Sequence, residues 1–358
     1  MTTLEDKIIA EFKEGKTSVE RTLLAVSGLQ TEEEIASYQR KLDFIQKDFE
    51  RYCGRSLPET EFQTAKALFD YFWETKPNRY NGDFLLVKVI DNQLDEDKDK
   101  TVGNCVGLTS LYSVLGLRVG LDLSVFIGLD HILTLLHCGN REIVVENVKG
   151  FRFNSKLESR YEKKDLIRLV SSVFCSRGFE RKNLGDLEGA LFYYSRAIEL
   201  ESDYADAFNN RGVVKSELGD SEDALRDYNK AIELKPDYAY AFNNRGNVKS
   251  KLGDSEEALR DYNKAIELKP DYAYAFNNRG IAREKLDDSE GALLDYDKAI
   301  ELKPDYADAF INRGIAREEL DDSEGALLDY DRAIELNPND DYAKRNKERL
   351  LRKLNQER

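Results

Sequence analysis

Residues 205–238 read ADAFNNRGVVKSELGDSEDALRDYNKAIELKPDY, and this stretch decides the fold of the C-terminal half of the chain. Residues 239–272 repeat it with only four differences. The segment AFNNRG returns at Ala275, then as AFINRG at Ala309, and a weaker copy, VFCSRG, precedes them at Val173. A fixed period of 34 residues indicates stacked helical units, because one such unit cannot bury its apolar face alone.

Each copy has the pattern of two helices. From Ala224 to Leu234, apolar residues recur mostly three and four positions apart, which predicts an amphipathic helix. Gly219 suits the left-handed position after the first helix, and Asp220 or Ser221 can cap the second. The sequence therefore predicts an all-α solenoid of five helical hairpins, at 171–204, 205–238, 239–272, 273–306 and 307–340.

The copies resemble the tetratricopeptide (TPR) repeat. The large aromatic, the tight-contact glycine and the second aromatic of that family correspond to Phe208, Gly212 and Tyr228 in the second copy. The resemblance implies a scaffold that binds a peptide or helix of a partner protein in a groove lined by the first helix of each copy. One departure recurs, since Arg211 and its equivalents stand where the family usually has leucine. An unpaired buried arginine is costly, so we expect an acidic partner, which is Asp227 for Arg211.

Asparagine recurs along the predicted groove. An amide offers both a donor and an acceptor, so a row of amides can hold an extended peptide backbone whatever its sequence. Tyrosines would add flat apolar contact area. The predicted ligand-binding residues are Asn209, Asn210, Asn243, Asn244, Asn277, Asn278, Asn312, Tyr240 and Tyr274. The alternative is that these asparagines pack within the array and were copied by duplication. Acidic residues crowd the same helices, which favours a basic or neutral ligand.

Composition restricts the partners further. The chain has 358 residues and a formal charge of −15, which argues against nucleic acid and anionic membranes. No apolar run reaches the ~18 residues needed to span a bilayer, and the N-terminus lacks the apolar segment of a signal peptide. Four irregularly spaced cysteines favour thiols in a reducing compartment. We therefore expect a cytoplasmic protein. The last segment, 341–358, is predicted to be a capping helix; the alternative is a basic docking tail.

Residues 1–170 carry no repeat and are predicted to form an α+β domain. Helical spacing of apolar residues runs to about Trp73, and a charged loop is predicted over 91–100. A helix then begins at Cys105, and strands are predicted at 122–128, 130–138 and 141–148.

Three residues of this part could form a thiol catalytic set. A helix N-terminus stabilises negative charge, as a cysteine nucleophile at Cys105 requires. His131 is the candidate base and Glu146 the group that orients it. If the turn after Cys138 has two residues, Cys138 pairs with Arg141, and Glu146 is the diagonal neighbour of His131 on one face of the sheet. An odd loop length would reverse that choice.

The order of these residues resembles the transglutaminase-like fold of papain-like thiol enzymes, in particular bacterial domains that carry a TPR tail. GNCVGLTSLY, GLDHILTLL and IVVENV match its nucleophile segment, histidine strand and acid strand, although Glu146 stands where aspartate is usual. The resemblance implies an amide hydrolase or acyl transferase that acts through a Cys105 thioester. The alternative function is a non-enzymatic adaptor or chaperone-like protein whose N-terminal domain is silent. No spacing of ligand residues predicts a metal, and no cofactor is expected.

Overall fold

A computed structural model describes residues 3–54, 56–76, 83–97, 101–127, 132–146 and 162–356. The chain forms two compact units, Met1–Ser202 and Asp203–Arg358. The described helices of the first unit are α1 Leu4–Lys13, α2 Val19–Val26, α3 Glu32–Tyr52, α4 Glu61–Thr75, α5 Leu86–Leu94, α6 Cys105–Arg118, α7 Ile167–Asn183 and α8 Leu187–Leu200. Its strands are β1 Asp122–Ile127, β2 Ile132–Cys138, β3 Arg141–Val145 and β4 Glu162–Lys164.

The second unit is helical throughout its described part. Its helices are α9 Ala205–Leu218, α10 Ser221–Leu234, α11 Ala239–Lys251, α12 Ser255–Leu268, α13 Ala273–Glu284, α14 Ser289–Leu302, α15 Ala307–Glu319, α16 Ser323–Leu336 and α17 Asp341–Gln356. The helices pack in consecutive pairs, each pair packs on the next, and α17 packs on α16. This arrangement confirms the predicted all-helical solenoid. The division into five repeats and a capping helix stays a prediction; the α7–α8 pair, which corresponds to the first predicted repeat, begins at Ile167 and belongs to the first unit. None of the described helices has the length and apolarity needed to cross a membrane.

A glycine in the first helix of each pair lets the two helices approach closely. A Cβ atom added to Gly246 would lie 2.7 Å from Cε1 of Tyr262, and one added to Gly212 would lie 2.8 Å from the same atom of Tyr228. Any larger residue would therefore force the tyrosine ring or the helix to move. The buried tyrosine and the glycine that it covers are the centre of each hairpin.

The turn inside each hairpin needs a residue with a left-handed backbone. Gly219 and Gly253 take this position with φ of 90° in both cases. In the next two repeats an aspartate does so, with φ of 59° at Asp287 and 60° at Asp321. Only glycine adopts this conformation without a steric cost, so the two aspartates carry a small strain.

The strands of the first unit form an antiparallel sheet in the order β3-β2-β1-β4. Cys138 pairs with Arg141 across a two-residue turn, as the sequence predicts. One face of the sheet packs on Ala65 of α4 through Leu123, Leu136 and Ile143. On the other face, Leu133, Leu135 and Val144 form a separate apolar cluster. The short strand β4, which pairs with β1, was not predicted.

The predicted charged loop over 91–100 is wrong in its first part, because α5 continues to Leu94. The side-chain amide of Asn92 donates to the carbonyl oxygen of Val102 at 3.0 Å. The amide of Gln93 donates to the hydroxyl of Thr75 at 3.0 Å. These polar side chains therefore attach the end of α5 to neighbouring segments, which a count of charges cannot reveal.

Candidate functional site

The recurring arginine of the repeats forms a bidentate ion pair with the predicted aspartate. Arg245 donates from Nε and Nη2 to the carboxylate of Asp261 at 2.9 and 2.5 Å. Asp261 is 3% exposed, and Nζ of Lys249 lies 2.9 Å from its carboxylate oxygen Oδ2. The equivalent pairs are Arg211–Asp227, Arg279–Asp295 and Arg313–Asp329. The prediction of an acidic partner is confirmed, and each pair joins the two helices of one hairpin.

The first repeat departs from this rule, because Tyr193 stands where the others have aspartate. The guanidinium carbon of Arg177 lies 4.2 Å from the centre of the Tyr193 ring. The same arginine donates to Glu5 of α1 at 3.0 Å and to the carbonyl oxygen of Val26 at 2.9 Å. Burial raises the pKa of Glu5 in spite of Arg177. This repeat is therefore bonded into the N-terminal part of its unit.

The asparagines of the second unit form a continuous chain of amide hydrogen bonds, which we call the asparagine chain. Between repeats, Asn244 donates to Oδ1 of Asn209 at 3.0 Å, and Asn278 donates to Asn243 at the same distance. The third bond of this kind runs from Asn312 to Asn277 at 2.9 Å. Within a repeat, the first asparagine donates to the second at 3.2 to 3.5 Å, which is longer and weaker.

The two asparagines of each repeat differ in exposure. Asn209, Asn243 and Asn277 are buried, with 5%, 3% and 3% of their surface exposed. Asn210, Asn244, Asn278 and Asn312 are half-buried. The buried residues therefore support the chain from inside, whereas the second asparagines present amides at the surface. Among the predicted asparagines, the second group has more surface for a ligand; that any of them binds one stays a prediction.

The asparagine chain ends at the last repeat, where Ile311 takes the place of the buried asparagine. Helix α17 still carries an asparagine, Asn346, at the position that would donate to it. Among the described residues, Nδ2 of Asn346 is buried and has no hydrogen-bond partner. The missing acceptor at Ile311 explains this unsatisfied group.

A row of tyrosines and lysines runs beside the asparagine chain. Tyr240 and Tyr274 are 38% and 44% exposed. The Tyr240 ring lies 5.0 Å from that of Tyr272, and the Tyr274 ring lies 4.9 Å from that of Tyr306. Lys269 donates to the Tyr240 hydroxyl at 3.1 Å, and this bond raises the pKa of Lys269. The two exposed rings are thus held by their neighbours and present a fixed apolar surface.

A cavity of about 420 Å³ opens among α9, α11 and α13, and we call it the central cavity. Its lining includes the buried rings of Tyr228 and Tyr262 and the amides of Asn244 and Asn278, together with two lysines, Lys251 and Lys285, and Glu217. The sequence analysis missed both lysines. Position 13 of the four repeats reads Glu217, Lys251, Lys285 and Glu319, and that pattern is the signal that could have revealed them.

Two equivalent glutamates, Glu284 and Glu318, lie in the fourth and fifth repeats. Glu284 accepts a hydrogen bond from the Tyr296 hydroxyl at 2.8 Å, but among the described residues its other carboxylate oxygen is buried without a partner. Burial raises the pKa of Glu284 to about 7. The equivalent Glu318 accepts from Arg349 of α17 at 2.9 Å.

Comparisons with known proteins identify the repeats. The family model described as tetratricopeptide repeat matches residues 239–272, 273–306 and 307–340, and a second model, described as TPR repeat, matches 180–219 and 215–253. Residues 180–340 are TPR repeats. A search of curated proteins gives no match.

Solved TPR structures are similar to this chain over about half of its length. The TPR protein TTC0263 of Thermus thermophilus is 20% identical over 51% of this chain and 98% of its own, with a TM-score of 0.45. The TPR protein YrrB is 26% identical over 50% of this chain and 92% of its own, with a TM-score of 0.41. MamA of Desulfovibrio magneticus RS-1 is 22% identical over 48% of this chain and 97% of its own, with a TM-score of 0.42.

The predicted thiol residues of the first unit are only partly described. Cys105 begins α6 and is half-buried, and Asn104 caps the helix by accepting hydrogen bonds from two backbone N–H groups. His131 lies outside the described residues. Glu146 is 3% exposed and follows β3 directly, so the alternation of the strand places it with Val144, on the face opposite to Ile143. No comparison supports a transglutaminase-like fold for this unit.

Proposed function

We propose that the TPR repeats of the second unit bind an extended segment of a partner protein. The observation that carries this proposal is the asparagine chain. Each side-chain amide inside the asparagine chain uses one N–H group and one oxygen lone pair for its two neighbours in that chain. A primary amide has two of each, so Asn244 and Asn278 keep one donor and one acceptor. A peptide unit in an extended ligand requires one acceptor and one donor in return.

The internal bonds also favour binding by holding the amides in place. An exposed asparagine normally loses rotational freedom when it grips a ligand, and that loss weakens binding. Here the half-buried Asn244 is already held by buried asparagines, its oxygen by Asn243 and its nitrogen by Asn209. Tyr240 and Tyr274 lie beside the chain and supply rigid apolar area for the side chains of the ligand.

The test begins with the selection of peptides from a displayed library of random ten-residue sequences on the full chain. Affinities of the selected peptides are then measured for the double variant Asn244→Ala/Asn278→Ala. Two lost hydrogen bonds at ~0.5–1.5 kcal/mol each predict binding about 5 to 150 times weaker. Asn263→Ala is the matched control, since Asn263 is an exposed amide on the second helix α12. Equal affinity of the double variant and this control would refute the proposal.

A second candidate function belongs to the first unit, namely acyl transfer through Cys105, as the transglutaminase resemblance implies. One observation favours it. The hydroxyl of Thr109, one turn after Cys105 in α6, donates to the carbonyl oxygen of Ile132 at 3.1 Å. The start of α6 therefore lies beside the start of β2, and His131 is the residue that precedes Ile132.

Alkylation by iodoacetamide tests this candidate. Modification of Cys105 is followed by mass spectrometry from pH 5 to 9 in the wild-type chain and in His131→Ala. We expect reaction below pH 7 that is lost in the variant. Cys53 is the internal control, because burial raises the pKa of its thiol. If Cys105 and Cys53 react with the same pH profile, the enzyme candidate fails and the non-enzymatic adaptor remains. The cytoplasmic location stays a prediction.

A further inference from the structure

We propose that the central cavity receives an acidic side chain of the bound segment, so that the ligand carries aspartate or glutamate where it crosses the second to fourth repeats. This inference rests on the proposed peptide binding. It reverses the expectation of a basic or neutral ligand, which follows from the acidity of the array as a whole. A ligand interacts with the charges of the surface that it contacts, and the charge of that surface can differ from the net charge of the whole array.

The charge at one position of the first helices changes sign from repeat to repeat. Position 13 of the repeat lies at the C-terminal end of the first helix; it is glutamate in the second and fifth repeats, at Glu217 and Glu319, and lysine in the third and fourth, at Lys251 and Lys285. Both lysines line the central cavity, whereas only Glu217 of the two glutamates does so. The cavity therefore has a formal charge of +1 within an acidic protein. Such a local reversal fixes the register of a charged ligand.

The two ammonium groups are positioned differently. Nζ of Lys285 donates to both the carbonyl oxygen and the hydroxyl of Ser250, at 3.0 Å each, so this lysine is anchored at the wall. In the part of the chain that the structure describes, Lys251 makes neither an ion pair nor a hydrogen bond, and the residue is exposed. The cavity thus combines a fixed cation with one that is available to an incoming carboxylate.

The neutral groups of the lining are also arranged as donors. The Tyr262 hydroxyl donates to Oδ1 of Asn247 at 2.9 Å, which occupies the amide oxygen and leaves its NH₂ group for a ligand. Asn244 and Asn278 each keep one N–H group. A site with two ammonium groups and several amide N–H donors suits a carboxylate, which only accepts hydrogen bonds when it is ionised.

A charge reversal tests the inference in the full chain. The variant Lys251→Glu/Lys285→Glu places glutamate where Glu217 and Glu319 occur naturally, so it is expected to fold. The matched control is Lys264→Glu/Lys298→Glu, which changes the net charge equally at lysines on the second helices. The same ten-residue library is selected on all three proteins, and the dominant wild-type peptide is also made with glutamine in place of its acidic residue.

We expect the wild type and the control to enrich aspartate or glutamate at one position, and the reversed variant to lose that preference. The glutamine peptide should bind the wild type about tenfold more weakly, yet bind the reversed variant as well as its acidic parent. Unchanged enrichment of acid in the reversed variant, or the same loss in the control, would overturn the inference. If peptides bind with an affinity that depends on Asn244 and Asn278 but show no preference for an acidic residue, this inference is wrong and the proposed function stands. If no peptide binds, the proposed function falls with it.

Discussion

The buried ion pair between Arg245 and Asp261 permits a quantitative test of what holds each hairpin together. Asp261→Ala removes a carboxylate that is 3% exposed and accepts hydrogen bonds from Arg245 at 2.9 and 2.5 Å. It also removes the nearer of two acidic partners of Lys249, whose Nζ lies 2.9 Å from the Asp261 carboxylate. Two cations, each with 19% of the side chain exposed, would lose their buried carboxylate. Arg245 would keep only its hydrogen bond to Asn229 at 2.7 Å, and Lys249 only its longer contact with Glu257 at 3.4 Å. We therefore expect a loss of about 3–5 kcal/mol in the free energy of unfolding.

A double-mutant cycle separates the pair from the rest of the packing. Arg245→Leu restores the residue usual at this position in TPR repeats and leaves Asp261 with Lys249, so it should cost less than Asp261→Ala. The double variant should cost clearly less than the sum of the two, with a coupling energy of about 2 kcal/mol or more. Urea denaturation followed by circular dichroism gives the global effect. Amide hydrogen exchange of α11 and α12 shows whether the loss is local.

The control is the exposed pair of Lys264 and Glu267, which are 40% and 68% exposed. Exposed pairs contribute little, so Lys264→Ala should change the stability by less than ~0.5 kcal/mol. The reasoning would be refuted if Asp261→Ala were no more destabilising than this control, or if the cycle showed no coupling. Either result would mean that apolar packing alone joins the helices.

Three further outcomes follow from single positions in the repeats. Burial raises the pKa of Glu284 from 4.5 to about 7, so its contribution to stability is complete below pH 4.5 and is lost as the pH rises through 7. After allowance for solvent screening we expect a loss of about 1–2 kcal/mol, and urea midpoints of Glu284→Gln should lack this slope. Gly246→Ala would place a methyl group 2.7 Å from Tyr262, so its urea midpoint should fall by the equivalent of about 1–3 kcal/mol, and an unchanged midpoint would contradict the packing argument. Asp287→Gly relieves a left-handed aspartate with φ of 59° and should raise the thermal midpoint by the equivalent of about 0.5–1 kcal/mol, whereas a lower midpoint would show that the aspartate side chain matters more than the strain.

The repeats could be predicted well because several local signals agree. The period, the glycine after the first helix and the capping aspartate all mark the same boundaries, and the observed helices begin and end close to them. The partner of Arg211 could be found because a buried charge demands an opposite one. These arguments use chemistry that is independent of tertiary detail, and that is why they succeed.

Other features required the arrangement of the chain in space. Successive residues of a helix point about 100° apart, so Asn209 and Asn210 cannot both face the groove. The helical period could have shown that the two side chains point in different directions, but it could not have shown which of them is buried. The local positive charge at Lys251 and Lys285 could not be inferred from the net charge of the array, which is negative. In the first unit, the polar residues Asn92 and Gln93 find partners that are distant in sequence, so a charged segment that reads as a loop continues as a helix.

The asparagine chain stops at Ile311, and this limits the positions at which the protein could gain or lose a repeat. At each of the three junctions from the second to the fifth repeat, the later repeat provides the donor and the earlier repeat the acceptor. A duplicated copy of 239–272 therefore carries both groups and would extend the hydrogen bonds if it were inserted between these repeats. A copy added after Ile311 would find no acceptor waiting. We therefore expect variants of different length to gain or lose whole repeats before Ile311, with Ile311 and α17 retained.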